Sequence, residues 1–375
     1  MISISEGGFK LLPAKVMLLT NQLQASPVGG REQLCNLNHE ALKEIYYDSL
    51  ELVQLRPGRL RRLWSVINAF RGHIDGLDDA LIAEVIQTIQ DKNVGKVFVD
   101  GSNLGGFVKA VKKQLPSTEI ITFFHNVEAR FFLGSFWQVK TIRALVVLVV
   151  NYLAERKSVL YSDKIICLSE RDSGLLKRLY GRSATHVSPL AMLDKPTASS
   201  SLIHKAPREK FALFVGGVFY ANKAGITWFV KHVVPRIQTK ICIVGKGFED
   251  MNDLLGLDSK VEVVGAVDSL AQWYRDAHFV IAPIFDGSGM KTKVAEALMF
   301  GKKIIGTAEA FSGYEDVAER AGWECETADD FVAAIGCAQK LPLMSFDPEL
   351  RAIYEEKYSF AAARARLAKI MNEVA

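Results

Sequence analysis

The chain has 375 residues, of which 49% are hydrophobic and 23% charged, with 46 Lys and Arg against 42 Asp and Glu. That composition excludes a disordered or collagen-like protein, and a net charge of +4 is too small to imply a nucleic-acid partner. A chain this long outgrows a single hydrophobic core, so two domains are expected.

The first twenty residues, MISISEGGFKLLPAKVMLLT, have no continuous apolar core followed by a small-residue cleavage site, so no signal peptide is expected. Short β-branched runs follow at Lys15–Leu19, Glu51–Leu55, Lys96–Asp100, Glu119–Phe124, Lys164–Leu168 and His186–Pro189, with helical stretches between them, including Arg31–Leu50 and Asp78–Gln90. This alternation predicts a parallel sheet covered by helices. The basic run Arg56–Arg62 reads as a solvated face or as a contact with an anionic surface. The longest apolar run, Ala144–Val150, is far shorter than the 18 or so residues needed to span a bilayer, which points to a cytoplasmic protein, soluble or attached at the inner face of the membrane.

The segment Met192–Lys210 is rich in Ser, Pro and charge without a period and reads as a linker. A second α/β series begins at Phe211, with strands at Phe211–Val215, Lys240–Val244, Lys260–Val264, His278–Ala282 and Lys303–Gly306, and helices at Asn222–Val234 and Ser269–Asp276. One amphipathic helix ends the chain, with Phe360, Ala363, Leu367 and Ile370 on one face. The expected division is therefore a first domain over 1–190, a linker over 191–210, a second domain over 211–345 and a terminal helix over 346–375 that packs on either domain. Cys35, Cys167, Cys242, Cys325 and Cys337 show no CxxC spacing and read as buried thiols of a reducing compartment.

The most informative stretch is Pro283–Gly306, PIFDGSGMKTKVAEALMFGKKIIG. A strand ends at Pro283, a glycine-bearing loop follows, and a helix is expected from Met290 to Phe300, closed by Gly301. A helix N-terminus at the carboxyl end of a strand presents unpaired N–H groups to an anion. Lys293 and Glu296 share one face while Met290, Val294 and Leu298 form an apolar one. A lysine there neutralises phosphate and a glutamate accepts from a ribose diol; the same spacing also fits a surface ion pair.

This stretch resembles the signature of the large retaining glycosyltransferase group of the group 1 or family 4 type, whose GT-B fold has two Rossmann-like domains facing each other across a cleft. In many members two glutamates eight residues apart bracket the helix, and the second grips the ribose of the nucleotide. Here the second position is Glu296 and the first is Ser288, a departure that removes a carboxylate from the sugar hydroxyls. The segment Leu213–Val230 is similar to the first strand, loop and helix of the family's donor domain, which offers a basic pair to the diphosphate. Lys223 matches the lysine, Asn222 agrees with a subset of members, and Gly217 or Val218 stands where the arginine would be.

The resemblance further implies a base pocket at Gly245, Lys246, Val267 and Leu270, a diphosphate site at Gly289, Lys293 and Lys223, and further donor contacts at Ser288 and Met290. It implies that the Gly29–Gly30 loop of the first domain leans over the donor phosphates, and that His125, after an apolar strand, positions the sugar. His125, Lys223 and Lys293 are thus the catalytic candidates. Phe131–Leu160, with aromatic, greasy and basic residues, is either a buried helix hairpin or an amphipathic patch that makes a peripheral membrane contact or seats a lipid-linked acceptor.

The activity implied is retaining transfer of a hexosyl unit from a nucleotide sugar to a saccharide or lipid-linked acceptor, in bacterial surface polysaccharide assembly. No cofactor and no metal are expected, because Asp163, Asp172 and Asp286 are solitary and form no DxD pair. The alternatives are a nucleotide-sugar epimerase or hydrolase of the same fold, and a non-catalytic scaffold with a decayed donor site. A dehydrogenase is not expected, since neither half shows a complete GxGxxG opening its first helix.

Overall fold

Apolar strands with no polar face need cover on both sides, and helices returning between parallel strands supply it. The computed structural model describes residues 15–20, 23–24, 30–55, 69–72, 74–194, 210–342 and 346–373. Gly29, the basic run Arg56–Arg62, the first fourteen residues and most of the expected linker lie outside the described residues.

The first half runs β1 (Lys15–Thr20), α1 (Gly30–Tyr46), β2 (Leu50–Gln54), α2 (Asp79–Asp91), β3 (Val94–Asp100), α3 (Gly105–Gln114), β4 (Glu119–Phe123), α4 (Glu128–Val139), α5 (Ile142–Tyr161), β5 (Lys164–Cys167), α6 (Glu170–Tyr180) and β6 (His186–Val187). All the strand pairs are parallel, in the order β2-β1-β3-β4-β5-β6. The second half runs β7 (Phe211–Val215), α7 (Tyr220–His232), β8 (Lys240–Val244), α8 (Asn252–Leu255), β9 (Val261–Gly265), α9 (Leu270–Asp276), β10 (Phe279–Ala282), α10 (Thr292–Met299), β11 (Ile304–Gly306), α11 (Ala318–Ala321), β12 (Gly322–Glu324) and α12 (Ala328–Ala338). Its sheet is also parallel, in the order β12-β11-β10-β7-β8-β9. The chain ends with α13 (Pro348–Ile353) and α14 (Phe360–Asn372).

Most expected boundaries move by a residue or two, and three of the shifts have a plain local reason. Helix α1 stops at Tyr46, not Leu50, because Tyr47 takes a left-handed φ of 46°. Strand β6 ends two residues early: Ser188 N–H still bonds the Cys167 carbonyl, but Pro189 has no N–H with which to continue the ladder. Helix α10 starts at Thr292 because Lys291 is extended, while Gly301, at φ 59°, closes it as expected. Cys337 is exposed, against the expectation of a buried thiol; the other four cysteines are buried.

Helix α7 lies close over the end of β10. A methyl group on Gly225 would fall 1.8 Å from the Pro283 carbonyl oxygen, so only glycine lets the two backbones meet. Gly225→Ala is expected to cost about 1–3 kcal/mol through forced backbone displacement, lowering Tm by several degrees in a thermal melt. An unchanged melt would mean that α7 has room to shift.

The chain crosses between the two sheets twice. Met192, in the crossing that follows β6, donates its N–H to the Tyr358 carbonyl and accepts from Tyr354 Oη, and Arg351 pairs with Asp194. The second crossing leads into α14, which lies on the first domain. There Lys164 Nζ donates to the carbonyl of Ile370, His186 Nε2 pairs with Glu373, and Arg364 pairs with Glu44.

Candidate donor-binding cleft

In the second sheet the strand order reverses between β7 and β10, so the loops that follow these neighbours diverge to opposite faces and leave a crevice at their carboxyl ends. A cleft of about 1020 Å³ opens there. Its floor is the loop after β7, and Gly245 packs against that loop. A side chain on Gly245 would overlap the Gly216 carbonyl at 1.8 Å, and its φ of 151° also favours glycine. Gly217 and Asn222 line the cleft with Gly245, Lys246, Val267 and Leu270, the residues expected to flank a base.

Helix α10 enters from the other side. Every residue from Lys293 to Met299 is buried, so Lys293 and Glu296 are not a surface ion pair. Lys293 Nζ donates to Asn222 Oδ1 at 3.0 Å and sits 4.2 Å from the centroid of the Phe214 ring. Asn222 is held in turn by its own donation to the Gly217 carbonyl. Burial, reinforced by the charge of Lys291 and opposed by Glu296, pushes the Lys293 ammonium down to about 7. Glu296 lines the cleft one turn further on, and Tyr274 Oη donates to its Oε2 at 2.8 Å. The Tyr274 ring is fixed by stacking on Phe300.

The first domain closes the opposite wall. Gly30, the first residue of α1, lines the cleft, and a methyl group on it would stand 3.2 Å from Thr292 Cγ2. Two helix N-termini, one from each domain, therefore meet at the cleft, an arrangement whose unpaired backbone N–H groups suit an anion. Gly289, at φ 65°, approaches the first domain so closely that a side chain would stand 3.3 Å from the His125 carbonyl oxygen and from Asn126 Cβ. Ser288 Oγ donates to the Val127 carbonyl. Arg130 pairs with Asp286 and Arg171 with Glu309, and Glu309 also holds Lys291, so ion pairs join the two domains along the cleft.

Two of the three catalytic candidates are not where the sequence suggests. Lys223 is exposed on the outer face of α7 and does not line the cleft; its neighbour Asn222 takes the inward direction, about 100° away around the helix. The His125 ring is buried and does not line the cleft either. Its Nε2 lies 2.9 Å from Asp100 Oδ1, and its Nδ1 is buried with no hydrogen-bond partner among the described residues. Burial opposes ionisation of Asp100, but His125 and donations from Asn38 and Cys35 outweigh it and hold the carboxyl below its usual range. Of the residues expected to bind a donor, Gly30, Gly217, Asn222, Gly245, Val267, Leu270, Ser288, Met290, Lys293 and Glu296 come together around the cleft, while Gly289 stands behind it and Gly29 lies outside the described residues. Lys291, Glu309 and Asp100 were not singled out from sequence. A lysine two positions before Lys293 was the available signal for the first; the other two come from distant strand ends.

Solved structures match over nearly the whole chain. Sucrose-phosphate synthase from Thermosynechococcus elongatus is 15% identical, with a TM-score of 0.71 over 95% of this chain and 98% of its own. Anabaena HepE in complex with UDP and glucose is 13% identical, with a TM-score of 0.66 over 96% and 100%. The fold is GT-B. A glycosyltransferase from Rickettsia africae is a further GT-B neighbour, 12% identical with a TM-score of 0.63 over 96% and 98% of the two chains. At these identities the likeness is one of fold. Residues 209–339, the GT-B half that carries the cleft floor and α10, match the family described as "Glycosyl transferases group 1". No curated protein sequence matches the chain.

Proposed function

We propose that this chain transfers a hexosyl unit from a nucleotide sugar to a saccharide or lipid-linked acceptor. The observation that carries this reading is the convergence of the α10 N-terminus, Lys293 and Glu296 at the switch-point cleft, inside the segment that matches the glycosyltransferase family. The ribose diol meets Glu296, the base lies toward Gly245, Val267 and Leu270, and the diphosphate sits between Lys293 and the facing starts of α1 and α10. HepE, crystallised with UDP and glucose, supports a uridine nucleotide as the first to test.

The glycosidic C1–O bond breaks toward the diphosphate, which leaves with the bonding electrons. The Lys293 ammonium and the N–H groups of two helix N-termini stabilise the charge that develops on it. The acceptor hydroxyl attacks C1 from the face the diphosphate is leaving and gives its proton to a departing phosphate oxygen, so configuration is retained. The lysines at the cleft, Lys246, Lys291 and Lys293, support phosphate neutralisation without a metal. His125 acts as a positioning residue: its pairing with Asp100 fixes the strand end against which Gly289 packs. The setting we infer is the cytoplasmic side of the membrane, in assembly of a bacterial surface polysaccharide.

Titration with UDP, GDP, ADP and dTDP in the presence of EDTA tests this reading. Binding of one nucleotide at micromolar or better affinity, followed by NMR of the product anomer from the matching sugar nucleotide, is the expected sequence of results. No binding to any of the four would overturn it, and an inverted anomer would overturn the same-face attack.

A further inference from the structure

Helices α4 and α5 form a hairpin whose two ends differ in character. At its root, Arg130 pairs with Asp286 in the loop leading to α10, and Gly134 packs against the Tyr220 hydroxyl of the second domain. At its tip, Trp137 is 62% exposed, Val139 58% and Ile142 83%, with Leu145 and Val149 also exposed. Of the two readings of this segment, a buried hairpin or an amphipathic patch, the hairpin is present but its outer half is exposed rather than buried.

Helix α5 opens IRALVVLVV, apolar on nearly every side, so no rotation about its axis would hide that surface. An exposed apolar surface of this kind marks an interaction site. Charge says which kind. Between Glu128 and Glu155 the sequence has no Asp or Glu, while Lys140 and Arg143 are exposed at the tip beside Trp137. Exposed apolar side chains, an interfacial tryptophan and unopposed positive charge together suit the headgroup region of an anionic bilayer. No helix among the described residues is long and apolar enough to cross a membrane, so the contact is interfacial.

We propose that the tip of the α4–α5 hairpin docks on an anionic lipid bilayer. This deepens the membrane-side setting given under Proposed function. Seven residues separate Arg130 from Trp137 on one helix, a rise of about 10 Å, so docking brings the loop before α10 close to the headgroups.

The full chain is sedimented with vesicles of phosphatidylcholine alone or mixed with phosphatidylglycerol. The variants compared are Trp137→Ser/Ile142→Ser and Lys140→Glu/Arg143→Glu. The chain is expected to bind mixed vesicles at least about tenfold more tightly than neutral ones, and both variants to lose about tenfold or more. Nucleotide titration of each variant, expected to be unchanged, reports that the fold is intact. Absence of vesicle binding by the unsubstituted chain, or variants that bind as it does, overturns the proposal. So does light scattering that shows a dimer abolished by the tip substitutions without vesicle binding, which would assign the tip to a second copy. Vesicle binding without nucleotide binding would overturn the glycosyl-transfer reading alone.

Discussion

Glu296→Gln is expected to weaken nucleotide binding by roughly 30- to 1,000-fold, the loss of about 2–4 kcal/mol when a carboxylate that accepts two ribose hydroxyls becomes an amide. Glutamine keeps the size of the side chain and an acceptor for Tyr274 Oη, so the fold should survive. Alanine would also orphan the buried Tyr274 hydroxyl and confuse binding with stability. Tyr274→Phe is the matched control: it removes the donor and leaves the carboxylate, and should change nucleotide affinity less than about threefold. Calorimetry on the three proteins separates the roles. Unchanged affinity in Glu296→Gln would place the ribose elsewhere.

Lys293 gives the second large effect, and pH reveals it. Burial, reinforced by the charge of Lys291, pushes the Lys293 ammonium from an ordinary 10.5 down to about 7. A bound diphosphate favours the charged form. Above pH 7 the complex therefore holds a proton that most of the free protein lacks, and binding takes that proton up. Affinity is expected to fall as pH rises from about 7.5 to 9, by up to tenfold per unit. Calorimetry in two buffers of different ionisation enthalpy counts the proton directly. Stability runs the other way: between about 7 and 10.5 the unfolded chain holds this proton and the folded chain does not, so the contribution of this group to stability rises with pH. Lys293→Met should remove the proton uptake and lower kcat by about 10²- to 10³-fold, with no loss of Tm at neutral pH. Retained proton uptake in Lys293→Met would assign it to another group.

Much of this was legible in the sequence because doubly covered parallel strands are continuous apolar runs. Phe211–Val215 and Lys164–Cys167 are buried at every position and stand out without any alternation. The strand at Gly322–Glu324 was not legible, since three residues with a glycine and a glutamate carry no period. Helical spacing was enough to put Lys293 and Glu296 on one face, because both lie on one short helix whose position is set by the strand before it; the structure places both on the cleft. The placement of Lys223 outside the cleft was not legible, because adjacency in sequence does not say which of two neighbours on a helix faces inward. The pairing of His125 with Asp100 joins the ends of two neighbouring strands, β4 and β3, and no local pattern announces it. The ion pairs between domains were invisible for the same reason: Arg130 and Asp286 are 156 residues apart.

The two crossings between the domains, laced together where Met192 meets Tyr354 and Tyr358, behave mechanically as a two-leaf ribbon. A single tether permits twist and slide as well as bend; two tethers fastened to each other leave mainly the bend. Any relative motion of the two domains is therefore expected to be a bend about this one spine, like the covers of a book. Such a spine would bring the start of α1 back to the start of α10 in one register, the alignment on which the proposed transfer depends.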